Sequence, residues 1–264
     1  MELGQKLGQG RQAEVFGYQK DQVVKLFYPN TPHYVIEHEF KIAASIQQPG
    51  LPVAKVFEII TVNDRTGIVY EKLEGPTLLQ MLLSDVSKAV WIGEISAHLH
   101  ADVHRSRNDS LPSQKEDFEK KIRTVKIESV LKEKALRLLD TLPDSSEVCH
   151  GDYHPDNILL SPSGPYVIDW INAKRGNRTA DFVLSALMLK IGEVPDFIPH
   201  YENLNISRSI LFKAYTQTYL KELPTDKSDI LPWIPLAAIF RLEQGIESEH
   251  SRLIKIIRRS LSSI

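Results

Sequence analysis

The chain has 264 residues, 42% hydrophobic and 25% charged, enough apolar material for a sizeable core in one large domain or two lobes around a cleft. Its formal net charge of −2 gives no global electrostatic attraction to nucleic acid or to an anionic membrane. The single cysteine, Cys149, excludes an intrachain disulfide and fits a reducing cytoplasm. No apolar run is long enough to cross a bilayer, and the opening MELGQKLGQGRQAEVF lacks the basic and apolar blocks of a signal peptide, so a cytoplasmic location is expected.

Taken in chain order, residues 1–72 read as strand-rich. Gln22–Tyr28 (QVVKLFY), Lys55–Val62 (KVFEIITV) and Gly67–Leu73 (GIVYEKL) carry the β-branched and aromatic residues of strands. Between the first two, HYVIEHEFKIAASIQQ repeats Val35, Ile36, Phe40, Ala43 and Ala44 at helical spacing, with Pro49 and Gly50 beyond its end. From Glu74-Gly75-Pro76 onward the pattern turns helical: TLLQMLL, AVWIGEISAHLHADVHR and the long KEDFEKKIRTVKIESVLKEKALRLLDTL. A strand-like island follows, Asn157–Leu160 and Tyr166–Trp170, separated by the hairpin signal SPSGP. Helical pattern resumes at Ala180 and ends in RLEQGIESEHSRLIKIIRRSL, whose basic run Lys255–Arg259 suits a solvated face or the negative end of a helix dipole. The expected architecture is therefore α+β: a small β-rich N-terminal lobe, 1–73, and a larger helical lobe, 74–264.

The segment richest in chemistry is VCHGDYHPDNILL, with His150, Asp152, His154 and Asn157, followed beyond the hairpin by Asp169. Phosphoryl transfer from ATP needs hard oxygen ligands for magnesium and a carboxylate near the acceptor hydroxyl. An Asp, an Asn five positions later and a second Asp beyond a hairpin supply those groups. Asp152 would orient or deprotonate the hydroxyl, and Asn157 with Asp169 would hold the metal. His154 either helps position phosphate or braces the loop.

HGDYHPDN resembles the catalytic loop HGDxHxxN of the aminoglycoside phosphotransferase and choline kinase group, and VIDW stands where that group carries its metal-binding Asp. Protein kinases carry the related H-R-D-x-x-x-x-N and D-F-G. Gly151 replaces their Arg and Trp170-Ile171 replaces their Phe-Gly, which favours the small-molecule branch. The resemblance implies a protein kinase-like two-lobed fold. LGQGRQAEVF, read as a turn between strands, would bring the backbone at Gly8 and Gly10 close to phosphates. Lys25 in VVKLF would pair with Glu39 of the following helix, with Glu37 as a rival, to position the α- and β-phosphates. Glu71 and Leu73 occupy the linker position whose backbone binds adenine in kinases. Asp181, in AKRGNRTADFVLSALML, either braces the catalytic loop or complements a helix N-terminus; Asn177 and Thr179 depart from the Asp and Pro of many relatives.

Only eleven positions separate Asp169 from Asp181, and no A-P-E element follows, too little for a peptide-binding activation segment. The implied reaction is transfer of the γ-phosphoryl group of ATP, or of GTP, with magnesium to a small hydroxylated acceptor; a catalytically silent nucleotide-binding module and a protein Ser/Thr kinase are the alternatives. A polycationic acceptor such as an aminoglycoside would want acidic groups, for which Glu243, Glu247 and Glu249 are available. A quaternary ammonium would want aromatic faces, for which Tyr215, Tyr219, Trp233 and Phe240 are candidates, but their helical spacing favours core packing. The number of subunits is left open.

Overall fold

A computed structural model describes residues 3–10, 12–47, 50–193 and 201–262. The chain forms two compact units, one of Met1–Thr77 with Asn157–Ile171 and one of Leu78–Asp156 with Asn172–Ile264. Numbered in chain order, the strands are β1 Lys6–Gln9, β2 Ala13–Tyr18, β3 Gln22–Phe27, β4 Val56–Val62, β5 Arg65–Glu71, β6 Glu147–Cys149, β7 Ile158–Ser161, β8 Gly164–Val167 and β9 Lys174–Gly176. The helices are α1 His33–Ser45, α2 Leu78–Ser84, α3 Ala89–Arg105, α4 Gln114–Thr124, α5 Ser129–Thr141, α6 Arg178–Ile191, α7 Glu202–Glu222, α8 Lys227–Ile230, α9 Trp233–Glu243 and α10 Glu247–Leu261.

In the first unit, β1 to β5 form an antiparallel sheet in the order β1-β2-β3-β5-β4. Strand alternation separates two apolar faces. Tyr18, Val24, Leu26, Ile60, Val62 and Val69 pack on one; Ala13, Phe27 and Ile68 pack with Ile36 of α1 on the other. Each fully buried Val, Leu, Ile or Phe among them contributes about 1.5–3 kcal/mol. Lys25, between Val24 and Leu26, therefore points to the α1 face. On α1 the buried stripe is Ile36, Glu39, Ile42 and Ala43, so Glu39 faces the sheet while Glu37 is exposed beside His33. The β4–β5 turn places Asn63 and Asp64 at φ 49° and 61°, the left-handed conformation that two-residue hairpins require and these side chains tolerate.

The hairpin β7–β8 belongs to this unit, unlike the division expected at residue 73. Val167 N–H donates to Pro52 C=O (2.7 Å) and Leu160 N–H to Pro76 C=O (2.9 Å). Gly75, at φ 145°, passes so close to Leu160 that a Cβ there would overlap its carbonyl oxygen.

Two expectations change at the ends of elements. LGQGRQAEVF is not a turn between strands: it supplies most of β1 and β2. The long segment 115–142 breaks into α4 and α5, because Val125 leaves the helix (ψ 144°) to bury its side chain and Ile127 N–H closes a tight turn onto Val125 C=O. The end of the α1 segment, Gln48 and Pro49, lies outside the described residues.

In the second unit α3 lies along α7, and α9 packs with α10, α6 and α4. Its core includes Phe118 in ring contact with both Trp233 and Phe240. The short ladder β6–β9 pairs Cys149 with Lys174, and Cys149 is fully buried. Asn177 caps α6 by accepting the Thr179 N–H (2.8 Å). Gly245, at φ 72°, separates α9 from α10, so Glu243, Glu247 and Glu249 do not share one helix. Among the described residues, no helix is long and apolar enough to cross a membrane.

Candidate active-site residues

In the first unit the sheet and α1 bring Lys25 and Glu39 together: Nζ donates to Oε1 at 2.7 Å. The same amine lies 3.4 Å from Asp169 Oδ1. Burial pushes the Lys25 amine towards its neutral form, but Asp169 and Glu39 outweigh burial and raise its pKa. Tyr70, on β5, is a partner the sequence reading missed. Its hydroxyl donates to the same Oε1 (3.1 Å), while Glu39 Oε2 is buried without a hydrogen-bond partner among the described residues. Burial, then Glu39, holds the Tyr70 hydroxyl well above its usual pKa, so it remains a donor. A buried pair of this kind adds little net stability, but it fixes where the amine sits.

Asp169 follows β8 at φ 62°, a left-handed conformation that Asp adopts more readily than most residues, and its side chain is 44% exposed. Asn157 immediately precedes β7 and lies beside this turn. Its C=O accepts the N–H of Ile168 at 2.9 Å, and Ile158 pairs with Val167. An amide oxygen and a carboxylate are the hard donors that magnesium takes, so this pair fits such an ion. Gly8 lies in β1 and Gly10 at its end. Neither has positive φ, and a Cβ at either would meet only ordinary contacts, so the local fold alone does not demand glycine there. Glu71 ends β5, its side chain accepting the Lys55 N–H (3.2 Å), and Leu73 lies two residues on.

In the second unit, β6 delivers the chain to His150, Gly151 and Asp152. Gly151 has φ 79°, and a Cβ would come 2.7 Å from Asn172 C=O, which rules out an unstrained side chain where protein kinases carry Arg. Asp152 N–H donates to His150 Nδ1 (3.2 Å), and its carboxylate lies 3.7 Å from His154 Nε2. Burial raises the Asp152 carboxyl, but the hydrogen bond and charge of His154, then His150 and Arg241, outweigh it and leave the pKa lowered.

Asp181, in the first turn of α6, is fully buried and braces this turn. Its Oδ2 accepts the His150 N–H (2.6 Å) and its Oδ1 the Gly151 N–H (2.9 Å). His100 and His104 of α3 place Nε2 at 3.1 and 3.2 Å from Oδ2. Burial alone would raise this carboxyl; the two histidines bring it well below the ordinary range. His100, His104 and Asp181 are close enough to share a metal ion. The hydrogen bonds each ligand atom already makes account for the cluster without one. The sequence signal for the histidines was present, two His four apart on one helix, but nothing pointed it at Asp181.

Of the residues weighed for the acceptor, all but Glu247 are paired or packed in the core. Glu249 is buried in a two-bond pair with Arg241 (2.7 Å each), Glu243 pairs with Lys121 (3.0 Å), and Glu247 is exposed. Tyr215, Tyr219, Trp233 and Phe240 are buried core residues. Arg258 of the basic run pairs with Glu128.

Comparison with known proteins gives a consistent picture. The structure is similar to that of a thermostable mutant of aminoglycoside phosphotransferase APH(4)-Ia (TM-score 0.63, 12% identity, covering 100% of this chain and 94% of that one). It is also similar to aminoglycoside-3'-phosphotransferase of type VIII (TM-score 0.63, 18% identity, 92% of each chain). Macrolide 2'-phosphotransferase MphH from Brachybacterium faecium is a further neighbour (TM-score 0.53, 13% identity, 98% of this chain and 92% of that one). At these identities the likeness shows the fold, α+β and protein kinase-like, and no curated protein sequence matches the chain. The model of the phosphotransferase enzyme family matches residues 7–209. With that match over most of its length, the chain belongs to the phosphotransferase enzyme family.

Proposed function

We propose that the protein transfers the γ-phosphoryl group of ATP, or of GTP, to a hydroxyl of a small molecule. The observation that carries this reading is the Lys25 amine, held by Glu39 at 2.7 Å and lying 3.4 Å from Asp169, a fixed charged donor of the kind a triphosphate requires. Asn157 and Asp169 would hold magnesium, which when bound neutralises charge on the phosphate oxygens. Lys25 contacts the α- and β-phosphates, the backbone at Gly8 and Gly10 approaches them, and the backbone from Glu71 to Leu73 receives the adenine. Asp152 accepts the proton of the acceptor hydroxyl as its oxygen bonds to the γ-phosphorus; the bond to the β–γ bridging oxygen breaks and ADP leaves. The work of the protein is positioning and charge stabilisation. Solved neighbours support the nucleotide and the acceptor class: aminoglycoside phosphotransferase APH(4)-Ia forms a ternary complex with AMP-PNP and hygromycin B, and APH(2")-IIa one with streptomycin and ATP. Because Glu243 and Glu249 are engaged by cations of the chain itself, the acceptor class extends beyond polycations to sugars and amino alcohols.

Thermal unfolding with ATP or GTP, each with and without magnesium, tests the nucleotide site. We expect a magnesium-dependent rise in Tm, about 2.7 kcal/mol of added stability at a hundredfold excess of ligand over Kd. Asp169→Ala should lose the magnesium dependence. No shift with either nucleotide would favour a silent module, and phosphate incorporation into proteins but not into small hydroxyl compounds would favour a protein kinase.

A further inference from the structure

Asp181 is held from two directions, and one of them reaches to α7. On α3, His100 and His104 stand one helical turn apart; on α7, Tyr215 and Tyr219 do the same. The two pairs meet rung by rung. Tyr215 Oη lies 2.6 Å from His100 Nδ1, and Tyr219 Oη lies 2.6 Å from His104 Nδ1. The five side chains are almost wholly removed from solvent, at 0% to 2% exposure. Phe182 stacks on Tyr219 (4.2 Å between ring centres) and Tyr153 on His100 (3.8 Å), which closes the cluster to water.

Proton counting fixes the direction of every bond. An ionised carboxylate only accepts, so a histidine facing Asp181 must present Nε2–H. A neutral imidazole has one N–H, which leaves Nδ1 as an acceptor, and each tyrosine hydroxyl must then donate to it. The opposite tautomer would aim two lone pairs at a buried carboxylate. Protonating both rings would place two cations in contact (4.0 Å between ring centres) in a dry core, against the desolvation cost of each.

We propose that Tyr215 and Tyr219 are positioning residues for the loop that carries Asp152. By donating to Nδ1 they fix His100 and His104 as Nε2–H tautomers, the tautomers hold Asp181, and Asp181 holds the His150 and Gly151 amides immediately before Asp152. The kinetic consequence rests on the role proposed for Asp152; the structural one does not. A tyrosine hydroxyl 2.6 Å from a buried ring nitrogen thus governs backbone three hydrogen bonds away.

The test uses the full chain labelled with 15N. Long-range imidazole correlations at pH 7, assigned with His100→Gln and His104→Gln, should show protonated Nε2 and bare Nδ1 for both rings; a protonated Nδ1 on either overturns the proposal. In Tyr219→Phe and Tyr215→Phe, variants that remove one oxygen each, hydrogen exchange at the His150 and Gly151 amides should quicken by about tenfold or more, while amides of β2 and β3 keep their rates. Equal quickening everywhere would mean general destabilisation and no positioning role, and unchanged exchange at both amides would also overturn it. In the phosphotransfer assay kcat should fall with KM for ATP within about twofold, the pattern of a lost transition-state contact. An inactive parent chain with the exchange changes intact would remove the phosphotransfer reading and leave the positioning role standing.

Discussion

Asp152→Asn should lower turnover by about 10²–10⁴-fold, the usual contribution of a positioned proton acceptor, while leaving the nucleotide-dependent rise in Tm in place. Asparagine keeps the shape of the side chain and removes its ability to take a proton. The Asp152 carboxyl is suited to that task because His154, His150 and Arg241 overcome burial and keep it ionised at neutral pH. Its backbone is set from both sides: its own N–H donates to His150 Nδ1, and the two preceding amides are held by Asp181. The measurement is kcat with the acceptor found by screening small hydroxyl compounds. Turnover near the parent rate would exclude Asp152 as the proton acceptor. Loss of the nucleotide shift as well would mean that the substitution had damaged more than the chemistry.

Asp181→Ala should cost about 3–5 kcal/mol of stability, read as a fall in the urea midpoint at pH 7. The loss follows from what is left behind: the buried amides of His150 and Gly151 and two imidazole N–H groups would all face a void. The same cluster gives stability a pH dependence with a definite sign. His100 faces Asp181 of α6, His104 of its own helix, Tyr215 of α7, and His150 and Tyr153 of the loop after β6. Burial first, then His104, pushes its pKa down to about 3, with Asp181 opposing. A lowered native value means that acid protonates the unfolded chain first. The contribution is whole above about pH 6.5 and is lost as the pH falls towards 3, at up to about 1.4 kcal/mol per pH unit. Asp181, also lowered, adds its own loss below about pH 4. Between pH 7 and 5 the urea midpoint should fall in the parent and fall less in His100→Asn. An equal fall in both would show that His100 is not the group being protonated.

The strands and the pairing of Lys25 with Glu39 were legible because their signals are local. Alternation in VVKLF places Lys25 opposite Val24 and Leu26, helical spacing on α1 selects Glu39 over Glu37, and HGDYHPDN is a contiguous string. What escaped was long-range. Tyr70 and Glu39 are 31 residues apart, and His104 and Tyr219 are 115 apart. Matched spacings of four on two helices say that each pair shares a face, yet they do not say which faces meet. Helical spacing favours core over cage for Tyr215 and Tyr219, and their burial in contact with histidines agrees. The break between α4 and α5 was hidden for a different reason: no Gly or Pro interrupts Lys115 to Leu142, and the chain leaves the helix at a stretch holding the weaker helix formers Thr124, Val125 and Ile127, where Val125 is buried.

Cys149 gives this arrangement an optical handle. It is the sole thiol of the chain, fully buried in β6 directly before His150, and burial holds its pKa well above the usual value. A thiolate-seeking dye cannot modify it in place; the reaction must wait for β6 to separate from β9. The colour released is therefore a clock for opening of the segment that leads into Asp152, with one signal per molecule and no engineered label.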